Sequence, residues 1–165
     1  ERLHNLTQEE FVGMLIENSD EPYAEEIAQQ IMQDLHRGVP IMTTTALYAE
    51  IEKALSKIRM SKDERKEALK KSGARVFQAL RIDVNSEFEV LYEFMEKLPN
   101  ALRPGGRVAV LTFHSGEDRI VKKAFKSYYK QGIYSEIAEE VIRPSREECY
   151  QNSRAHSTKL RWAKK

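Results

Sequence analysis

The residues best suited to chemistry follow a short apolar run at positions 108–111. The run, Val-Ala-Val-Leu, is typical of a strand covered on both faces in the parallel sheet of an α/β fold. It leads into Thr112, Phe113, His114 and Ser115, and in open α/β sheets ligands bind at the carboxyl ends of such strands. We therefore predict that these four residues contact the substrate. A Ser–His hydrolase is disfavoured because the two residues are adjacent and no nucleophile elbow is present.

Two of these residues have a structural alternative. Ser115 is expected to cap a helix, with Asp118 as its acidic partner three residues on, and this role is compatible with substrate contact. The alternative for His114 is a histidine that supports the site without touching the substrate. Phe113, like Trp162 near the end of the chain, is better explained as a core residue than as a platform for a nucleic-acid base.

Apolar positions at helical spacing follow Ser115, namely Ile120, Val121, Ala124, Phe125 and Tyr128. Arg119 and Lys122 lie near the start of this predicted helix, where charge and free amides can hold a phosphate group. Ion pairing with Glu117 and Asp118 explains the two cations at least as well. Both interpretations stay open at this point.

Charge is distributed unevenly along the chain. Residues 1–100 carry 13 Lys/Arg and 19 Asp/Glu, a net charge of −6, whereas residues 101–165 carry 14 and 7, a net charge of +7. A basic C-terminal half suggests contact with nucleic acid, although mutual attraction of the two halves is an equal explanation. Arg154, Lys159 and Arg161 are the candidates for contact with nucleic-acid phosphates.

The last of these residues belong to an alternating segment from Ser157 to Ala163. Thr158, Leu160 and Trp162 would face one way and the two cations the other, which predicts a half-buried strand with the cations in solvent. A solvated strand face is therefore the alternative to RNA contact. A further short strand is predicted at 140–143.

The first hundred residues have a helical pattern. Start signals predict helices from Thr7, Pro22, Thr43 and Ser61, the last of them ending near Lys71. The hydroxyls of Thr43 and its neighbours are most simply a helix start. A longer helix is predicted from Val76 to Leu98, with Arg81 and Asn85 on one side of it. These two side chains are candidates for the substrate pocket, or else form a polar stripe against the helical bundle.

Bulk properties narrow the class of protein. The chain has 165 residues, of which 41% are hydrophobic and 32% charged, as is ordinary for a globular protein. No apolar run is long enough to span a bilayer, so no membrane partner is expected. The one cysteine, Cys149, excludes an internal disulfide and fits a reducing cytoplasm, and it lacks the spacing of a metal site.

Four stretches resemble signatures of the small-subunit ribosomal RNA cytosine-N4-methyltransferase family (RsmH, also called MraW). They are residues 40–44, residues 77–85, residues 104–107 with 112–122, and residues 143–145 with 152–161, and they occur in the family's order along nearly the whole chain. Three positions depart from the pattern: Gly116 replaces a usual leucine, Ser153 a proline and His156 an arginine.

The resemblance implies a fold in two parts. Residues 1–72 would form a helical substrate-recognition insert, and residues 73–165 the C-terminal strands and helices of a class I, Rossmann-like α/β methyltransferase domain. The family's glycine-rich loop and acidic residues for S-adenosylmethionine have no counterpart in this sequence. We therefore expect the cofactor to be bound mainly by residues absent from this chain, and the sheet to be incomplete.

An apolar strand with an unpaired edge is prone to aggregation. We therefore expect a missing N-terminal half, or a homodimer mate, to pair with the strand at 107–113. The implied reaction is methyl transfer to the exocyclic N4 amine of a cytidine in small-subunit ribosomal RNA, with His114, Ser115, Phe113, Thr112, Arg81 and Asn85 on the substrate side. The residue that accepts the amine's hydrogen bond stays unassigned. The alternative is a non-catalytic RNA-binding protein derived from the same fold.

Overall fold

The computed structural model describes residues 2–165 and divides into two compact units. The first extends to Glu87, and the second runs from Phe88 to Lys165. Residues 72 and 73, the expected boundary between the insert and the methyltransferase part, lie within a single uninterrupted helix, and that assignment stays a prediction. The structure contains both helices and a sheet, as predicted.

The first unit consists of helices. A short 3-10 helix (Arg2–Asn5) precedes α1 (Gln8–Ser19), α2 (Ala24–His36), α3 (Thr44–Ser56) and α4 (Lys62–Asn85). Their apolar stripes form one core, whose fully buried members include Phe11, Leu15, Ile27, Ile31, Ile51 and Leu55. Burying such side chains is the main force that holds these helices together.

Sequence signals place the starts of these helices correctly. Thr7 and Glu10 form the predicted capping box of α1, and Ser61 and Glu64 form the equivalent box of α4. Thr43 caps α3 by accepting a hydrogen bond from the amide of Ala46 at 3.1 Å. Each cap satisfies amides that have no partner within the helix.

The predicted end of the fourth helix near Lys71 is wrong. Ser72 and Gly73, which look like a helix end in the sequence, are buried within α4. The Ser72 hydroxyl donates to a Glu21 carboxylate oxygen at 2.8 Å, and Gly73 leaves room for the Tyr48 ring. Small residues here allow close packing, which compensates for their weak helix propensity.

The predicted long helix from Val76 to Leu98 is in fact two helices. It is interrupted at Ser86, which adopts the left-handed conformation at φ 49°. The helix α5 (Glu87–Ala101) then continues past Pro99. The Lys165 ammonium group donates to the carbonyl groups of Pro99 and Leu102, so a distant residue satisfies the end of α5.

The second unit contains a three-stranded antiparallel sheet. The elements after α5 are β1 (Arg107–Thr112), α6 (Ser115–Lys130), β2 (Glu136–Ile137), α7 (Arg146–Gln151), a 3-10 helix (Ser153–Ser157) and β3 (Lys159–Lys164). The strand order is β1-β3-β2, so β3 lies in the middle. The sequence predicts a strand at 140–143, but only Ile142 pairs there, with Leu160, and β2 lies earlier.

The strand β1 is an edge strand, not a central one covered on both faces. Arg107, Ala109 and Leu111 are exposed, and Leu111 retains 49% of its accessible surface. Within residues 2–165 its ladder partner is β3, and its other edge faces no strand. We expected this strand to lack its parallel neighbours, and one edge of β1 is unpaired within these residues.

The strand β3 buries the face that its sequence pattern assigns to solvent. Arg161 and Ala163 are 7% and 0% exposed, whereas Leu160 and Trp162 are half-buried. An alternating sequence shows that a strand has two faces. It does not show which face is buried, because a charged side chain can be buried when a partner neutralises it. In the part of the chain that the structure describes, no helix is long and apolar enough to cross a membrane.

Candidate functional site

The junction of β1 and α6 brings the predicted residues 112–115 into one short turn. Thr112 is buried, and its hydroxyl donates to the Lys159 carbonyl oxygen at 3.2 Å, which fixes the end of β1 against β3. The ring of Phe113 is 53% exposed, so it is not the core residue that we expected. Ser115 is the first residue of α6 and is exposed.

The cap of α6 is His114, one residue before the predicted cap. Its backbone is extended (φ −143°, ψ 167°), and its Nδ1 atom accepts a hydrogen bond from the Glu117 amide at 3.4 Å. The helix starts at Ser115, so Ser115 lies one residue too late to be its cap. Serine is the commoner cap, which is why the sequence favoured it.

Glu117 turns back over this cap. One carboxylate oxygen, Oε2, accepts a hydrogen bond from the Phe113 amide at 2.9 Å, and the other, Oε1, lies 3.3 Å from His114 Nε2. Burial raises the pKa of Glu117, but the contacts with His114 and the Phe113 amide outweigh it and hold the pKa below its ordinary value. Glu117 is therefore a carboxylate at neutral pH.

The imidazole of His114 is held from a second side by Phe88. The two ring centroids are 5.8 Å apart with an interplanar angle of 43°. Gly116 makes this packing possible, since a Cβ atom there would lie 2.6 Å from the tip of the Phe88 ring. The side chain of His114 retains only 14% of its accessible surface.

Asp118 has a role unlike the capping role expected of it. It accepts hydrogen bonds from Arg161 Nε and Nη2 at 2.7 and 3.3 Å, and from Lys159 Nζ at 3.4 Å. Burial raises the pKa of Asp118, and the two cations lower it below its ordinary value. Arg161 is thus a buried partner of Asp118 and not an exposed phosphate contact, and Lys159 is half-buried beside it.

The remaining predicted cations lie at the surface. Arg119 and Lys122 are exposed on α6, and Arg154 is exposed on the 3-10 helix that precedes β3. The Arg154 amide donates to Asn152 Oδ1 at 3.1 Å, which fixes the start of that short helix. Their contact with RNA stays a prediction.

Arg81 and Asn85 belong to the first unit, and both contact Glu87 there. Arg81 Nε lies 2.9 Å from Glu87 Oε1, and the Asn85 amide donates to the same oxygen at 3.3 Å. Residues four positions apart lie on the same side of a helix, so both side chains can reach Glu87. Contact of Arg81 and Asn85 with the substrate stays a prediction.

Two parts of the second unit were not selected from the sequence. Glu117 and Phe88 both contact His114, and the available signal was a His-x-x-Glu spacing that matches a capping box with imidazole in place of a hydroxyl. Separately, a cleft of about 790 Å³ runs along the C-terminal half of α6, lined by Tyr129 and Trp162 among others. Trp162 is therefore not a fully buried core residue.

The residues present do not form a pocket for S-adenosylmethionine. Within residues 2–165, the paired glycines Gly105 and Gly106 precede β1, at the strand end opposite His114. A cofactor-binding loop of the Rossmann type follows its strand and leads into a helix. An S-adenosylmethionine site of that type would therefore need residues other than these glycines.

Comparison with known proteins identifies the family. The family model of the MraW methylase family matches residues 1–165. The chain belongs to the MraW methylase family. The resemblance noted in the four sequence stretches is thereby confirmed.

Several curated relatives are similar to this MraW-family chain over nearly its whole length. A protein named ribosomal RNA small subunit methyltransferase H 1 from Lachnoclostridium phytofermentans is 60% identical over 163 residues, and the match covers 99% of this chain and 44% of the relative. The protein of the same name from Agathobacter rectalis is also 60% identical, with 99% and 46% covered.

A more distant relative is ribosomal RNA small subunit methyltransferase H from Thermotoga neapolitana. It is 39% identical over 163 residues, with 98% of this chain and 50% of the relative covered. The chain thus spans about half the length of the curated relatives that it matches.

Proposed function

We propose that this chain forms the substrate side of an S-adenosylmethionine-dependent enzyme that methylates the exocyclic N4 amine of a cytidine in small-subunit ribosomal RNA. The observation that carries the proposal is the match of the MraW methylase family to the entire chain. The names of the relatives support ribosomal RNA as the substrate. The reaction would take place in the cytoplasm, on the small ribosomal subunit or its RNA.

In this proposal the two units have different tasks. The helical unit recognises the RNA, and the second unit supplies the last strands of a Rossmann-like sheet. The open edge of β1 would pair with a strand that this chain lacks, contributed by an N-terminal half that also binds the cofactor, or else by a second copy. The exposed Leu111 beside that edge is consistent with such a neighbour.

The chemistry sets two requirements. The exocyclic amine of cytosine is a poor nucleophile because its lone pair is delocalised into the ring, so it must be aligned with the methyl group and given a hydrogen-bond acceptor. The target base would leave its stack to enter the site. We place the substrate at the β1–α6 turn, which holds Thr112, Phe113, His114 and Ser115 together at a strand end.

The exposed cations would hold the RNA backbone. Arg119, Lys122 and Arg154 lie at the surface of the second unit, where a phosphate group can reach them. Arg161 is excluded from these contacts, since its guanidinium group is buried against Asp118. Lys159 contacts the same Asp118 carboxylate and is not assigned an RNA contact.

The test is a methylation assay on the full-length protein, meaning the natural polypeptide that carries this chain. Small ribosomal subunits lacking the modification are incubated with this protein and S-adenosylmethionine, and their RNA is digested to nucleosides for mass spectrometry. We expect N4-methylcytidine to appear. Tight RNA binding without methylated cytidine would instead identify a non-catalytic RNA-binding protein and overturn the proposal.

A further inference from the structure

Three helices of this chain begin with a glutamate folded back over the cap, and one of them is unusual. In α1 and α4 the caps are Thr7 and Ser61, whose partners Glu10 and Glu64 are exposed. A short hydroxyl side chain is sufficient for this task. In α6 the cap is His114, a larger residue that capping alone does not require.

The cap determines which nitrogen of His114 holds the proton. Nδ1 accepts the Glu117 amide hydrogen bond, so it must present a lone pair, and the neutral ring then has its proton on Nε2. Nε2 is buried and lies 3.3 Å from Glu117 Oε1, but it has no hydrogen-bond partner of good geometry among the described residues. In this tautomer neither nitrogen has a lone pair left for a substrate, so His114 can donate a hydrogen bond toward Glu117 but cannot accept one.

The first turn of α6 contains two carboxylates, Glu117 and Asp118, and Asp118 is already paired with cations. Asp118 is neutralised by Arg161 and Lys159 and is buried. Glu117 is ionised, and its side chain retains 24% of its accessible surface. Its two oxygens offer about four acceptor positions, and the Phe113 amide occupies one of them.

We propose that Glu117 is the hydrogen-bond acceptor for the substrate amine, and that His114 is a positioning residue that orients its carboxylate. The inference rests on the proposed function, because it names the group left unassigned there. Residues outside this chain would hold the methyl donor, which would supply the methyl group to the amine lone pair while its sulfur keeps the electron pair of the bond that breaks. Glu117 stabilises the positive charge on the amine and receives the proton that it releases, then passes it to water.

The decisive variant is Glu117→Gln in the full-length protein. Glutamine keeps the hydrogen bond to the Phe113 amide but lacks the charge, so the helix cap survives. We expect kcat to fall about 100-fold, the usual scale for loss of a proton acceptor, with KM for the RNA unchanged. The matched control is Glu64→Gln, which makes the same change in the capping box of α4 and is expected to leave kcat unchanged.

The possible outcomes separate the two proposals. If the wild-type protein does not methylate cytidine, the proposed function fails. If it does, and Glu117→Gln is as active as Glu64→Gln, Glu117 is only a helix cap and the inference is overturned. A fall in kcat at an unchanged thermal unfolding temperature of the full-length variant supports the inference, and a fall that only accompanies lost stability overturns it.

A second pair of variants tests His114 itself. Aspartate and asparagine both cap helices well, but only the asparagine amide can also donate toward Glu117. We expect His114→Asp to lower kcat by about tenfold and His114→Asn to recover part of this loss, as a positioning role requires. Equal kcat values for the two variants would show that donation to Glu117 has no role.

Discussion

Asp118 and Arg161 form a buried ion pair that joins the first turn of α6 to the middle strand of the sheet. The carboxylate Oδ1 and the guanidinium Nε are 2.7 Å apart, and the two side chains retain 11% and 9% of their accessible surface. The residues are separated by 43 positions in the sequence. This pair orients the turn that contains Glu117 relative to β3, and it is inaccessible to a phosphate group.

Replacing Asp118 with asparagine is expected to destabilise the second unit by about 3–5 kcal/mol, because it leaves the Arg161 charge buried without its counter-ion. Urea unfolding followed by Trp162 fluorescence measures this loss directly. The control is Glu93→Gln, which removes an exposed ion pair with Lys97 in α5 and is expected to change stability very little. A similar effect from both variants would mean that the buried pair is not important for stability.

Stability of the second unit should depend on pH in the acid range. The pKa values of Glu117 and Asp118 lie below their ordinary values of 4.5 and 3.8, so unfolding takes up protons at these residues as the pH falls. Their contribution is complete above pH 4.5 and is lost as the pH falls toward the lower folded values. Urea midpoints measured between pH 7 and about pH 3 should therefore decline below pH 4.5. In Asp118→Asn the decline should be shallower.

Gly116→Ala should destabilise the second unit although alanine favours helices. The new Cβ atom would lie 2.6 Å from the Phe88 ring, and such overpacking costs about 1–3 kcal/mol, more than the gain in helix propensity of up to about 1 kcal/mol. Thermal unfolding measures the difference, and adding Phe88→Leu should restore part of the loss.

Gly13 provides the opposite case for the same substitution. It lies in α1, and a Cβ atom added there would have no neighbouring atom within 4 Å, so Gly13→Ala should stabilise its unit slightly. Stabilisation by both substitutions would show that Phe88 does not pack closely over Gly116.

Lys122 and Arg154 should contribute to RNA binding through charge alone. Replacing either with alanine in the full-length protein is expected to weaken binding to small-subunit RNA and to reduce the salt slope, the change of log K with log salt concentration, by about 1. Binding is measured at several salt concentrations by filter retention. Lys97→Ala is the control, since Lys97 is paired with Glu93, and an unchanged slope in all three variants would exclude both residues from the RNA contacts.

The sequence predicted the helices of the first unit well because their determinants are local. Capping residues at Thr7, Thr43 and Ser61 and apolar stripes at helical spacing are sufficient to define where α1, α3 and α4 begin. The end of the fourth helix was predicted wrongly at Lys71. Ser72 and Gly73 continue α4 because Glu21 and Tyr48, distant in sequence, pack against them.

At the candidate site, the sequence alone determined that β1 ends in a turn containing Thr112, Phe113 and His114, since an apolar run followed by polar residues is a local signal. Only the tertiary structure decided what the charged residues do. Arg161 is buried because Asp118 neutralises it, whereas the Glu117 side chain one position earlier retains 24% of its accessible surface. Charge pairing between α6 and β3 depends on how the chain folds back on itself, and no local pattern encodes it.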